Sequence, residues 1–229
     1  MNIKGPILCV AGFGDNSSMF APLVDARRSG DPQILPLDLP GFGAEPLRET
    51  SIATLAQHLA AEARRFGARS VIAHSVASII AAEAAHLSDS TIDTIVSLEG
   101  NLTAEDAYFS GTAADYDDAV SFRVAFLERL HEMAKPNRII EGYAERVSRA
   151  DPGALWSLGR DARQYSQTSH PGERLRSAGN VLYVLNPANC PENSLNWLKT
   201  SGLTKVELDG ASHWPTIDQP SKVLLALRS

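Results

Sequence analysis

The sequence predicts an α/β protein: a doubly wound, mostly parallel sheet of about six strands carrying a helical insertion. Three observations predict it. Short runs of Val, Ile and Leu recur with few polar residues, the mark of strands covered on both faces. Longer helical stretches alternate with them, which implies right-handed crossovers between parallel strands. The rhythm then breaks over residues 102–178, where no strand candidate occurs. A chain of 229 residues suits one sizeable core rather than two independent domains.

Taken in order, Ile7-Leu8-Cys9-Val10-Ala11 is the first strand, ending at Gly12, and Ile34 to Leu39 the second, stopped by Pro40-Gly41. A helix follows from Ser51 to Phe66. Leu55, Leu59 and Ala63 recur there at spacings of four, Ser51 is placed to cap, and Gly67 to terminate. Ser70 to Ala73 is the third strand, Val76 to Leu87 an Ala- and Ile-rich helix suited to burial, and Thr94 to Leu98 the fourth strand. In the strandless stretch, amphipathic runs cover Ala119–Met133 and Ile139–Arg149, and a further helix starts after Asp151-Pro152, with Asp151 as cap and Pro152 in the first turn. Val181 to Leu185 and Lys205 to Leu208 complete the sheet. The expected division is a core of residues 1–101 and 179–229 with a helical cap of 102–178.

Charge and composition narrow the function. Lys and Arg number 21 against 27 Asp and Glu, a formal net charge of −6. Such a chain repels phosphate backbones, and Arg27-Arg28 and Arg64-Arg65 are only short pairs, so no nucleic-acid partner is expected. Cys9 and Cys190 cannot form a disulfide-rich framework. The start, Met1 to Pro6, lacks a secretory pattern, and no apolar run approaches the ~18–20 residues of a membrane helix. The expectation is a cytoplasmic protein acting on a small molecule, with no membrane partner and an oligomeric state the pattern does not set.

The most informative segment is Ala73-His74-Ser75-Val76-Ala77, where a strand passes into a helix. A sharp strand-to-helix turn projects the Ser75 hydroxyl from the sheet edge and requires small neighbours, here Ala73 and Ala77. The Val76 amide, at the helix N-terminus, favours the oxygen of a tetrahedral intermediate. A serine needs a base, and of six histidines His213 stands directly after the last strand in Asp209-Gly-Ala-Ser-His213-Trp-Pro215. His58, His86 and His131 lie in helical contexts and His170 in the insertion. His74, next to Ser75, should point away by strand alternation and serve a structural hydrogen bond. For the acid that orients the imidazole, Glu99 ends the strand after the serine helix, with Asn189 as an uncharged orienter or Glu192 as alternatives. The loop Gly12-Phe13-Gly14-Asp15 offers a second oxyanion donor, the Phe13 amide, with Gly14 behind it. Lacking a third glycine or a Gly-Lys-Ser/Thr, it is a poor phosphate cradle.

These pieces together resemble the α/β-hydrolase fold: Ala11-Gly-Phe-Gly14, Asp38-Leu-Pro-Gly-Phe-Gly43, Ala73-His-Ser-Val-Ala77 and Gly210-Ala-Ser-His-Trp-Pro215. The resemblance implies a carboxylesterase-like serine hydrolase with a helical cap over a pocket, no metal and no organic cofactor. It makes Asp38–Gly43 a structural turn. Alanines replace both elbow glycines, and Asn189 stands where the family's acid usually follows the penultimate strand. Haloalkane dehalogenases place a glutamate as Glu99 is placed, but their nucleophile is aspartate, so Ser75 argues against that chemistry. The family's leading antiparallel strands are missing. An ester or thioester is the expected substrate. A lyase, C–C hydrolase or cofactor-free oxygenase on the same fold, and a non-catalytic binding protein, are the alternatives. Tyr108, Phe109, Tyr116, Phe122, Phe126, Trp156 and Tyr165, with Trp214 beside His213, suggest an apolar pocket, and Tyr108, Trp156 and Trp214 are the expected substrate contacts together with Gly14. Glu105-Asp106, Asp115 and Asp117-Asp118 read as a solvated acidic face.

Overall fold

The computed structural model describes residue 3 and residues 5–228, so the opening stretch read for a secretory signal lies partly outside the described residues. Among the described residues eight strands form: β1 (Ile7–Val10), β2 (Ile34–Leu37), β3 (Leu39–Pro40), β4 (Gly43–Ala44), β5 (Ser70–His74), β6 (Thr94–Leu98), β7 (Asn180–Leu185) and β8 (Thr204–Glu207). Six of them make one sheet in the order β2-β1-β5-β6-β7-β8, with every neighbouring pair parallel. The second run read from the sequence is broken at Asp38: β2 stays in the main sheet, and β3 pairs with β4 in a two-stranded ribbon. Pro36 is tolerated in β2 because that strand is an edge, where one face of the ladder needs no donor.

The α-helices among the described residues are α1 (Ala21–Asp25), α2 (Ile52–Phe66), α3 (Ala77–His86), α4 (Ala119–Ala134), α5 (Arg138–Ser148), α6 (Pro152–Thr168), α7 (Pro171–Arg176), α8 (Glu192–Ser201), α9 (Pro215–Asp218) and α10 (Pro220–Ala226). Local chemistry fixes their ends. Ser51 and Thr54 cap α2 reciprocally, each side chain accepting from the other's backbone amide, and Gly67 ends it in the left-handed region. Asp151 accepts from the Ala154 amide at 2.8 Å to start α6, with Pro152 in the first turn. Between β6 and β7 every described element is helical: two 3₁₀ segments (Ala104–Tyr108, Ser110–Asp115) and α4 to α7.

Strand alternation divides the core into two layers. Leu8, Val10, Val71, Ala73, Ile95, Tyr183 and Leu185 face α2, α3 and the inserted helices. Ile7, Cys9, Ile72, Val96, Leu98, Leu182 and Val184 face α1 and α10. Cys9 is wholly buried, which pushes its thiol far above the ordinary range, so it packs as a small apolar residue. The Asp38–Gly43 turn docks the insertion, since the Gly41 carbonyl accepts from the Asp151 amide at 2.8 Å. Gly41, at φ +83°, must be glycine, because a Cβ there would lie 2.4 Å from that of Ala154. No helix among the described residues is long and apolar enough to cross a membrane.

Strand order sets where a ligand fits. From β1 the chain adds β2 on one side and β5 on the other, which opens a crevice beyond the C-terminal ends of β1 and β5. The loop Gly12–Gly14 leaves β1 there, and Ser75 leaves β5 there.

Candidate active site

Ser75 sits between β5 and α3 with φ +54°, a left-handed conformation costly for a residue with a Cβ. Its surroundings hold it there. Its amide donates to the Leu98 carbonyl at 2.8 Å, and its carbonyl accepts from Ser78 Oγ at 2.7 Å. Ser78 Oγ in turn accepts from the Asn101 amide at 3.0 Å, bracing the turn against the end of β6. Ala73 and Ala77 are fully buried on either side. Gly12 approaches from β1 so closely that a Cβ on it would lie 2.9 Å from both Ser75 Cβ and His74 Nδ1.

Around Ser75 is a cavity of about 210 Å³. Gly12, Phe13, His74, Ser75, His213 and Trp214 line one part of its wall, and Tyr108, Phe109, Arg129, Met133, Ile140 and Tyr143 line the part built from the insertion. Ser75 and His213, 138 positions apart in the sequence, thus share one cavity, with no direct hydrogen bond between their side chains. Neither the Phe13 nor the Val76 amide donates to another protein group among the described residues. Both residues are buried, where backbone amides are ordinarily paired.

Glu99 follows β6 at φ +51° and is almost fully buried. Its Oε2 lies 3.8 Å from His213 Nδ1, an ion-pair distance beyond hydrogen-bond reach. Its Oε1 accepts from the Asn186 amide at 2.6 Å and from Asn189 Nδ2 at 3.2 Å. Asn189 therefore contacts Glu99 rather than the imidazole. Glu192 is exposed at the start of α8.

His74 differs from the alternation expected of it. The left-handed Ser75 ends the regular strand, and the His74 ring lies 4.8 Å from that of His213 in the cavity wall. Its Nε2 donates to the His213 carbonyl at 2.7 Å, which fixes the tautomer and leaves Nδ1 without a partner. Burial first, and then the His213 charge, hold its pKa well below the usual value, so the ring is neutral.

Four further residues of the site escaped the sequence reading. Asp15, almost fully buried, accepts from Arg146 Nε at 2.5 Å and Nη2 at 3.2 Å, and from Trp214 Nε1 at 3.2 Å. Tyr143 donates to the Phe13 carbonyl at 2.6 Å. Arg129 enters the wall from α4. These links from the insertion to the β1 loop span more than a hundred residues, and no local spacing announces them.

Among the aromatics, Tyr108 and Trp214 line the cavity, whereas Trp156 does not. Its Nε1 donates to the Tyr116 carbonyl at 3.1 Å and its ring lies under Arg160, so it packs α6 against the preceding segment. Gly14 faces Leu155 and Val147 rather than the cavity. The acidic face is resolved into separate tasks. Asp118 caps α4, Asp115 pairs with Arg163 at 2.6 Å, and Asp106 turns inward to accept from the Leu102 and Thr103 amides and Ser194 Oγ. Among the described residues no cluster of His, Cys, Asp and Glu is arranged to hold a metal ion. A larger, more open hollow of about 500 Å³ shares only Tyr108 with this cavity and contains no hydroxyl–imidazole pair.

A family model described as "Alpha/beta hydrolase family" matches residues 7–227. No curated protein matches the sequence. Similar solved structures include an esterase from Exiguobacterium antarcticum (14% identity, TM-score 0.77, covering 100% of this chain and 92% of that one). A thermophilic esterase from Thermogutta terrifontis is also similar (15%, 0.74, 99% and 89%). So is the enol-lactonase from Burkholderia xenovorans LB400 (17%, 0.72, 100% and 93%). At these identities the likeness is one of fold.

Proposed function

We propose that this chain, which belongs to the alpha/beta hydrolase family, is a carboxylesterase-like serine hydrolase acting on small or medium esters or thioesters through an acyl-enzyme on Ser75. The observation that carries the reading is the meeting, in one cavity, of a serine on a left-handed turn with an imidazole and with Phe13, whose backbone amide has no protein partner among the described residues. In the first half-reaction His213 takes the Ser75 proton as Oγ bonds to the carbonyl carbon. The Phe13 and Val76 amides hold the oxygen that becomes negative. The bond to the leaving oxygen or sulfur then breaks, and His213 returns the proton to that group. In the second half-reaction water gives a proton to His213, its oxygen bonds the acyl carbon, and Ser75 leaves with the proton restored.

Glu99 steadies the imidazolium, and its contact with His213, long in the free protein, shortens when the ring becomes charged. Asn186 and Asn189 keep the carboxylate in place from its far side. The structural likeness to an enol-lactonase extends the candidate substrates to cyclic esters. The test is labelling with a fluorophosphonate probe alongside p-nitrophenyl ester hydrolysis. Wild type should be labelled and active, and Ser75→Ala neither. Equal turnover by the two proteins would overturn the mechanism.

A further inference from the structure

We propose that Arg129 binds a carboxylate at the far end of the acyl group, so that the substrates are esters of dicarboxylic half-acids rather than of plain fatty acids. This rests on the serine-hydrolase reading above. Arg129 is the one Lys or Arg among the described residues of the cavity wall, and it forms no ion pair there. The acid three residues along its own helix, Glu132, is taken by Lys135 at 2.6 Å. The two acids in the same wall are already satisfied. Asp15 is held by Arg146 and the Trp214 indole, and Asp106 by two backbone amides and Ser194. Arg129 is thus the one permanent charge in the wall left uncompensated.

Its placement suits an acyl chain. The guanidinium carbon lies 4.8 Å from the centre of the Phe109 ring, which orients the planar group. Phe109 meets Phe126 at 4.9 Å, and Phe126 meets Phe13 at 5.5 Å, the residue whose amide faces the reacting carbonyl. Phe13 and Phe109 both line the cavity with Phe126 packed behind them, so apolar wall lies between the oxyanion loop and the guanidinium. A methylene chain ending in a carboxylate matches both ends, because the fork of a guanidinium pairs with the two carboxylate oxygens. The acyl side is assigned to this wall because Phe13, which begins it, carries the amide that holds the acyl carbonyl oxygen.

The test compares the mono-p-nitrophenyl ester of adipic acid with p-nitrophenyl hexanoate. In wild type the kcat/KM ratio should favour the anionic ester by tenfold or more. Arg129→Gln should lower that ratio at least tenfold, chiefly through KM for the anionic ester, and Arg129→Lys should restore part of it. Because Arg129 is exposed at the cavity mouth, these variants should fold, which a single wild-type-like thermal transition checks. A wild type that prefers the neutral ester, or an Arg129→Gln variant that keeps the wild-type ratio, overturns the subsite while leaving the serine mechanism standing. Absence of labelling at Ser75 with neither ester cleaved overturns both.

Discussion

Glu99 and His74 approach His213 from different directions, one lying 3.8 Å from a ring nitrogen and the other donating to the backbone carbonyl. On the proposed mechanism, Glu99→Gln keeps the shape but removes the charge, and its amide hydrogens compete for the wrong His213 tautomer. kcat should fall about 10³–10⁴-fold with KM little changed, as steady-state kinetics on a p-nitrophenyl ester would measure. His74 gives a pH-dependent stability. Its folded pKa lies well below the 6.5 of the free side chain, so below pH 6.5 the unfolded chain binds a proton that the native one does not. Stability therefore falls as pH drops from 6.5 toward the folded pKa, by about 1.4 kcal/mol per pH unit from this group. Urea unfolding at pH 7.5 and 5.5 should show a smaller loss in His74→Gln than in wild type. The placement of Ser75, His213 and Glu99 at one sheet edge was legible, because each sits in a short contiguous signature at a strand end. The role of His74 was half legible: its structural hydrogen bond follows from its position, but its place beside His213 depends on a backbone reversal that residue identity does not reveal.

The insertion and the β1 loop are joined as elements by an ion pair between α5 and Asp15, with both partners largely out of water, and by the Tyr143 hydrogen bond to the Phe13 carbonyl. Arg146→Met strips the counter-charge from a buried carboxylate, and such losses typically cost about 3–5 kcal/mol. Denaturant unfolding should register that loss, and the double variant Asp15→Asn, Arg146→Met should recover part of it, because the uncompensated charge is then gone. Of the helices, α2 to α6 were readable from caps, composition and spacing, with Ser51, Gly67 and Asp151 where the chain turns, whereas α1 and α7 to α10 were not read. Which helix faces which loop was not. Trp156 shows why, for its spacing suits the cavity and its packing partner, the Tyr116 carbonyl, lies forty residues away.

Across the whole molecule the sheet separates two apolar layers, yet each central strand contributes to both, so neither layer can dissolve alone. Leu55→Ala in α2 and Leu23→Ala in α1 empty fully buried positions on opposite faces. Each should lower stability by about 2–5 kcal/mol, and each should move the same single unfolding transition, followed by circular dichroism and by tryptophan fluorescence. The overall architecture was the most legible level, since parallel strands buried on both sides announce themselves by composition; the short β3–β4 ribbon was not, because two-residue strands leave no periodicity. The tether between α5 and the β1 loop also bears on molecular traffic. Swinging α5 outward would bare a carboxylate and a guanidinium together, so reactants come and go with that helix in place. The doorway is then the flank where Tyr108 and Met133 stand open to water, and on the proposed function an ester would enter past them.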